Sequence, residues 1–225
     1  MGDKRGRAAY RVANPDVVAC HVPWYVDKYD VLKGLKKGGS FRLNSLQDAE
    51  ATKASLPDHM KAYLAKNDIN FYIINATKIA SEIGLGNRTN TIMQAAFFKI
   101  SGVIPYEVAV EQMKKAIKKS YGLKGDAIVN MNYAAVDKGG DEVVKVDVPA
   151  EWASLDTKIK TVDSGVAPEF IKKVVEPVNA LKGDNLPVSA FLGREDGTWD
   201  NGTSAYEKRG IAVNVPEWIP ANCIQ

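Results

Sequence analysis

Residues 70–101 constrain the fold more than any other stretch. Asn70–Asn75, NFYIIN, is a short apolar run with the length and composition of a buried strand. A helical stretch follows from about Ala76 to Ile83. After a glycine-containing turn, a second helix spans about Thr91 to Ser101. It carries Ile92, Met93, Ala95, Ala96, Phe97, Phe98 and Ile100 and is apolar nearly all round. A helix with no polar face has nothing to offer water, so it belongs inside a domain.

The flanking sequence extends this alternation. VVAC at 17–20 reads as a buried strand, and Phe41 and Leu43, alternating with polar neighbours, read as another. Trp24, Tyr25, Tyr29, Val31, Leu32 and Leu35 recur at helical spacing and predict a helix over Trp24–Lys36, stopped by Lys36-Lys37-Gly38-Gly39. Pro57 opens a helix containing His59, Tyr63 and Leu64. Pro105 starts another, because proline suits a first turn, with Ala109, Met113, Ala116 and Ile117 on its apolar face and Gly122 as its stop. Strands are expected near Ile128–Met131 and Val143–Val148. Strands alternating with helices define a layered α/β domain, here 1–149, with Phe71, Ile73, Phe97, Phe98 and Ile100 in its core. The remainder, 150–225, has a different character. Its one helical stretch, Glu169–Leu181, is interrupted by Pro177, and GREDGTWDNGTSAYEKRG (193–210) is rich in turn residues. This predicts an extended, loop-rich segment.

Composition excludes several classes. Thirty basic against 27 acidic residues leave a net charge of +3, which gives no footing for nucleic-acid binding. No apolar stretch is long enough to span a bilayer, and MGDKRGRAAYRV lacks the apolar run of a signal peptide. Two distant cysteines, Cys20 and Cys223, make no disulfide framework, and a reducing cytoplasmic setting is expected.

Four groups of residues invite a chemical reading. Gly84 and Gly86 suggest a dinucleotide loop, but Thr89 stands where the third glycine belongs and the motif follows a helix rather than a strand. A helix C-cap at Gly84 or Gly86, then an N-cap at Thr89 or Asn90, fits better. The unpaired N–H groups of the next helix and the guanidinium of Arg88 then form a ready site for a phosphate or carboxylate. The plainer alternative is that Asn87, Arg88 and Asn90 brace the turn. Cys20 and His21 are neighbours on a strand and point to opposite faces, so a structural cysteine is expected rather than a nucleophile–base pair. His59 is expected at the surface, Trp199, Tyr206 and Trp218 are expected to anchor packing, and the paired lysines are expected on solvated helix faces. Cys223, after Trp218-Ile219-Pro220, stands where one further cysteine would begin a C-x₂-C cluster step.

The chain resembles the pyruvate:ferredoxin oxidoreductase, or pyruvate synthase, family in long strings: VVACH (17–21), YDVLKGLKKGG (29–39), FRLNS (41–45), IGLGNRTNTIMQAAFFKISGVIP (83–105) and GTSAYEKRGIAVNVPEWIPANCIQ (202–225). The resemblance implies an α/β fold with three α/β/α layers and a mixed sheet, the central or gamma-type domain of that enzyme, followed by a linker to a 4Fe–4S ferredoxin-like domain. It implies oxidative decarboxylation of pyruvate to acetyl-CoA with thiamine diphosphate, Mg2+, coenzyme A and 4Fe–4S clusters, and ferredoxin or flavodoxin as the electron acceptor. Thiamine would be held by other domains of a homodimeric enzyme. Asn87, Arg88 and Asn90 would face coenzyme A, and Cys223 would be the first cluster ligand. The Met1–Gly6 start departs from the family pattern, and both ends imply a fragment that is inactive alone. The alternative is a non-catalytic α/β module binding coenzyme A or another anion.

Overall fold

The structure is a computed structural model that describes residues 12–158, 167–207 and 216–223. The Met1–Gly6 start and the 208–210 end of the turn-rich run lie outside those residues. The chain divides into two compact units, Met1–Lys160 and Thr161–Gln225.

The first unit is built on one mixed sheet. Strands β1 (Val17–Cys20), β2 (Ser40–Asn44), β3 (Asn70–Ile74) and β4 (Val144–Val146) lie side by side in chain order. The first three are parallel and β4 is antiparallel to β3. Phe41 sits opposite Phe71 in this register, and their rings stack at 5.6 Å. Helices α1 (Tyr25–Lys28), α2 (Ala49–Ser55) and α3 (Asp58–Lys66) fall between β1 and β3. Helices α4 (Ala76–Glu82), α5 (Asn90–Ser101), α6 (Tyr106–Tyr121) and α7 (Asp126–Asp141) fall between β3 and β4.

Alternation along the strands divides their side chains between two cores. Cys20, Phe41, Leu43, Phe71, Ile73 and Val146 pack with Leu32, Leu35, Met60 and Leu64 on one side. Ile74 packs with Ile79, Ile92, Met93 and Ala135 on the other. Helices therefore cover both faces, and the fold is a three-layer α/β/α arrangement. The composition of α5 follows from its place. Ile92, Met93 and Ala96 turn toward the sheet side, while Ala95 and Phe98 join Ala109, Met113 and Ile117 of α6 and Val129 and Val136 of α7. Among the predicted core residues Phe71, Ile73 and Phe98 are buried, whereas Phe97 and Ile100 are half-buried. Ala116 lies on the exposed side of α6.

Two predicted elements differ. Ile128–Met131 is the first part of α7 and not a strand. Its apolar Ile128, Val129 and Met131 resemble a strand locally. The wider spacing Val129, Asn132, Ala135, Val136, Gly139, Gly140 is helical and forms the buried stripe. The helix predicted over Trp24–Lys36 is confined to Tyr25–Lys28. Gly34 adopts φ +80, with the Ala13 carbonyl where a side chain would stand. The helix has already ended at Tyr29, which is extended at φ −126 and ψ 151, and the left-handed Gly34 keeps it from resuming, so that successive turns deliver Leu32 and Leu35 to the core instead. Helix α2 was not foreseen; Asp48 caps it by accepting from Ala51 N–H at 2.8 Å.

In the second unit, helix α8 (Glu176–Asn179) is preceded by a π-type turn over Ile171–Val175. Pro177 has no N–H for the preceding turn. The backbone widens there, with Glu176 N–H reaching the Ile171 carbonyl, and Ile171, Val174 and Val175 remain buried. The Trp199 ring meets Phe170 edge-on at 5.0 Å, and Arg194, paired with Asp200 at 3.0 Å, covers the same phenyl ring. Trp199 and Tyr206 thus keep large exposed surfaces, and Trp218 is mostly exposed.

Candidate functional site

The turn between α4 and α5 is held by its backbone. Asn75 caps α4 by accepting from Lys78 N–H at 2.9 Å. At the far end Gly84 takes φ +81, its N–H bonds the Ser81 carbonyl, and Leu85 N–H reaches Ala80 at 2.8 Å. This closes the orphan carbonyls of the helix with a glycine just past the cap. Leu85 is buried and pins the turn, and Gly86, at φ +60, redirects the chain. Thr89 is the N-cap of α5 without a capping side-chain bond. The side chains of Asn87, Arg88 and Asn90 are exposed and make no hydrogen bond or ion pair among the described residues. The structure brings all three to one rim, beside the positive end of a twelve-residue helix. The turn does not use these side chains as braces.

Cys20 and His21 diverge as strand alternation requires. The Cys20 thiol is buried, donates to the Val22 carbonyl at 3.2 Å and is pushed up in pKa by burial. It is a structural cysteine. Cys223 is exposed, with its N–H on the Pro220 carbonyl. Among the described residues no group of three or more His, Cys, Asp and Glu is arranged to hold a metal ion. No helix among them is long and apolar enough to cross a membrane. Several lysines are paired at the surface, as in Lys36–Asp16 at 2.7 Å, Lys118–Asp126 at 2.9 Å and Lys173–Glu169. Such exposed pairs contribute little.

Arg42 is the residue that sequence reasoning missed. In Phe41-Arg42-Leu43 it occupies the position read as outward and polar, yet it is 1% exposed. The available signal was the parallel sheet itself, since both of its faces are covered. One Arg42 nitrogen, Nη1, donates to the Met93 carbonyl of α5, and Nη2 lies 3.1 Å from His21 Nε2. The guanidinium donates, so His21 Nε2 accepts and the ring proton sits on Nδ1.

His59 is half-buried rather than at the surface, with Nε2 enclosed and without a hydrogen-bond partner among the described residues. Burial lowers the pKa of both histidines. The Arg42 charge adds to this at His21, and Asp30, Asp27 and Asp58 oppose it at His59. The unfolded chain takes up protons near the ordinary histidine pKa of about 6.5, before the folded chain does. The histidine contribution is therefore intact above pH ~6.5 and is lost as pH falls below it toward the folded values. The urea midpoint is expected to fall between pH 7.5 and 5.5, and the drop should shrink in His59→Gln. A drop of the same size in that variant would refute the assignment of His59.

The fold is an α/β domain in which the exposed Arg88 stands beside the start of a helix. Residues 1–142 match the family described as pyruvate ferredoxin/flavodoxin oxidoreductase, and 156–212 match one described as a domain of unknown function. The chain is 51% identical over 226 residues to pyruvate:ferredoxin oxidoreductase of Moorella thermoacetica, covering 100% of this chain and 19% of that one. It is 49% identical over 219 residues to pyruvate-flavodoxin oxidoreductase of Enterobacter agglomerans, covering 97% and 18%. It is 41% identical over 228 residues to the mitochondrial pyruvate dehydrogenase (NADP+) of Euglena gracilis, covering 100% and 12%. The chain belongs to the pyruvate ferredoxin/flavodoxin oxidoreductase family. It spans about a fifth of the length of the first two of these relatives.

Proposed function

We propose that this chain is a portion of a pyruvate:ferredoxin or flavodoxin oxidoreductase and supplies its central, gamma-type domain (1–149) and the segment leading to an iron–sulfur domain (150–225). In that enzyme pyruvate would be oxidatively decarboxylated to acetyl-CoA in the cytoplasm of an anaerobically growing cell. The enzyme would be a homodimer passing its electrons to ferredoxin or flavodoxin. Identity over 97–100% of this chain to named relatives supports the family part of this reading.

The observation that carries the local role is the rim at 87–90. Arg88 is exposed and without an ion-pair partner among the described residues, directly ahead of the uncapped start of α5. A phosphate of coenzyme A would accept from the guanidinium and from the helix N–H groups, with Asn87 and Asn90 as neutral donors at its sides. Buried Leu85 and the backbone bonds of the turn fix these donors before the ligand arrives. In a full-length enzyme carrying this sequence, coenzyme A is expected to slow amide hydrogen exchange over residues 86–93. Unchanged exchange at saturating coenzyme A would dismiss the site.

Thiamine diphosphate with Mg2+ would supply the electron sink for decarboxylation, and the 4Fe–4S clusters would carry the electrons away. This chain offers a cluster one exposed cysteine, Cys223, and the other cysteine is buried in the first core. Three further ligands must come from elsewhere. The purified 225-residue chain is expected to stay colourless after iron and sulfide reconstitution. It should not turn over pyruvate with thiamine diphosphate and coenzyme A added. A brown product or measurable turnover would contradict this division of labour.

A further inference from the structure

Arg42 sits in the middle of β2, and no carboxylate among the described residues pairs with it. Burying a cation without a counter-charge is unfavourable. Its hydrogen bonding is also incomplete. Nη1 is satisfied by the Met93 carbonyl, Nη2 faces the His21 imidazole, and Nε is buried without a partner among the described residues. Nε and Nη2 share one edge of the guanidinium plane. That edge projects two parallel N–H bonds, the fork that fits both oxygens of a carboxylate or phosphate. Here one prong meets a neutral nitrogen and the other has no hydrogen-bond partner among the described residues.

The neighbour of this edge reaches the surface. His21 directly follows β1 and is exposed, so a turn of its ring would free the Nη2 prong. Its main chain stays in place because Asn44 donates from Nδ2 to the His21 carbonyl at 3.1 Å, while Asn44 Oδ1 accepts from Ala76 N–H at 3.0 Å. His21 stands at the carboxyl end of β1, and it is at the carboxyl ends of parallel strands that open α/β sheets bind ligands.

We propose that the Nε/Nη2 edge of Arg42 is a receptor for one oxyanion, a carboxylate or phosphate group of a small molecule, and that the His21 ring is its gate. In the free chain the ring occupies Nη2 as a placeholder. On binding, the anion accepts from both prongs, and the displaced imidazole lies beside a negative charge that favours its protonation. The proposal is independent of the role assigned to Arg88.

The test is nitrogen NMR on the labelled 225-residue chain, with inorganic phosphate and sodium acetate titrated separately. The free chain should show His21 as the Nδ1–H tautomer and Arg42 Nε–H without an acceptor. At least one anion should shift Arg42 Nε–H and the His21 ring nitrogens together and saturably, and the anion that does so identifies the source. His21→Ala removes the placeholder and should tighten binding about tenfold, the loss of one charge-assisted competitor. Arg42→Lys keeps the charge but loses the fork and should abolish the saturable His21 response. Arg88→Ala should leave that response unchanged. A linear, non-saturating response to both anions would overturn the proposal, as would a weaker affinity in His21→Ala or an Arg42 Nε–H already bonded in the free chain. Because His21 is exposed, its alanine variant decides the matter even if Arg42→Lys does not fold.

Discussion

Gly139→Ala is expected to destabilise the first unit by about 1–3 kcal/mol, although helix propensity alone predicts that alanine gains roughly 1 kcal/mol over glycine within a helix. The reversal of sign comes from the packing of α7 on α5. A methyl group at Gly139 would stand 2.5 Å from the Ile92 carbonyl oxygen and 2.9 Å from the Ile92 Cα. Both atoms are backbone and cannot rotate aside. The two helices must separate, and the buried contacts of Ile92, Ala95 and Ala135 loosen with them. Gly140→Ala offers a comparison. Its methyl would meet the Tyr106 hydroxyl, the tip of a side chain that can turn away, so a smaller loss is expected. Urea unfolding at pH 7.5, with m unchanged, measures both. A Gly139→Ala chain as stable as the parent would mean that α5 and α7 part at no cost, contrary to this account of the layer.

Arg88→Ala in a full-length enzyme carrying this sequence is expected to raise the coenzyme A concentration for half-maximal rate by roughly ten- to a hundredfold. This is the equivalent of a charge-assisted contact of about 1.5–3 kcal/mol. Thiamine diphosphate binding should be unaffected. Arg88 is exposed and holds no other side chain in place among the described residues, so its loss should not disturb the fold. Asn87→Ala and Asn90→Ala, which remove neutral donors, should each cost less. Arg88→Lys should recover part of the loss, because a point charge remains without the planar fork. Unaltered coenzyme A kinetics in Arg88→Ala would remove the residue from the site.

The strands and α3 to α6 were legible because each has a local signature: Asn70–Ile74 by its unbroken apolar run, α3 and α6 by the prolines ahead of them, and α4 and α5 by the glycine turn between them. Helix α7 was half lost because residues 128–131 carry a strand-like quartet, and its true period appears only across Val129 to Gly140. The Trp24–Lys36 prediction failed because hydrophobic spacing cannot report that Tyr29 turns extended or that the Ala13 carbonyl fills the space beside Gly34. The rim residues Asn87, Arg88 and Asn90 were found from the motif because a turn between two helices is a local structure. Arg42 and His21 were not found as a pair. They meet only when β1 and β2 lie side by side and α5 closes over them, and no pattern within either segment encodes that meeting.

Chain order equals sheet order here, and this sets a timetable for folding. The first three strands can pair as soon as residue 74 has emerged from the ribosome, since each lies beside its predecessor. The far edge of β3 must then wait for Val144–Val146, because α4 to α7 intervene. Until they arrive, Phe71 and Ile73 belong to a strand with one unsatisfied flank, the kind of edge that recruits other chains. Burial of α5 against α7 and closure of that flank by β4 thus both fall late. A nascent chain stalled within α6 or α7 would be the species most in need of a chaperone.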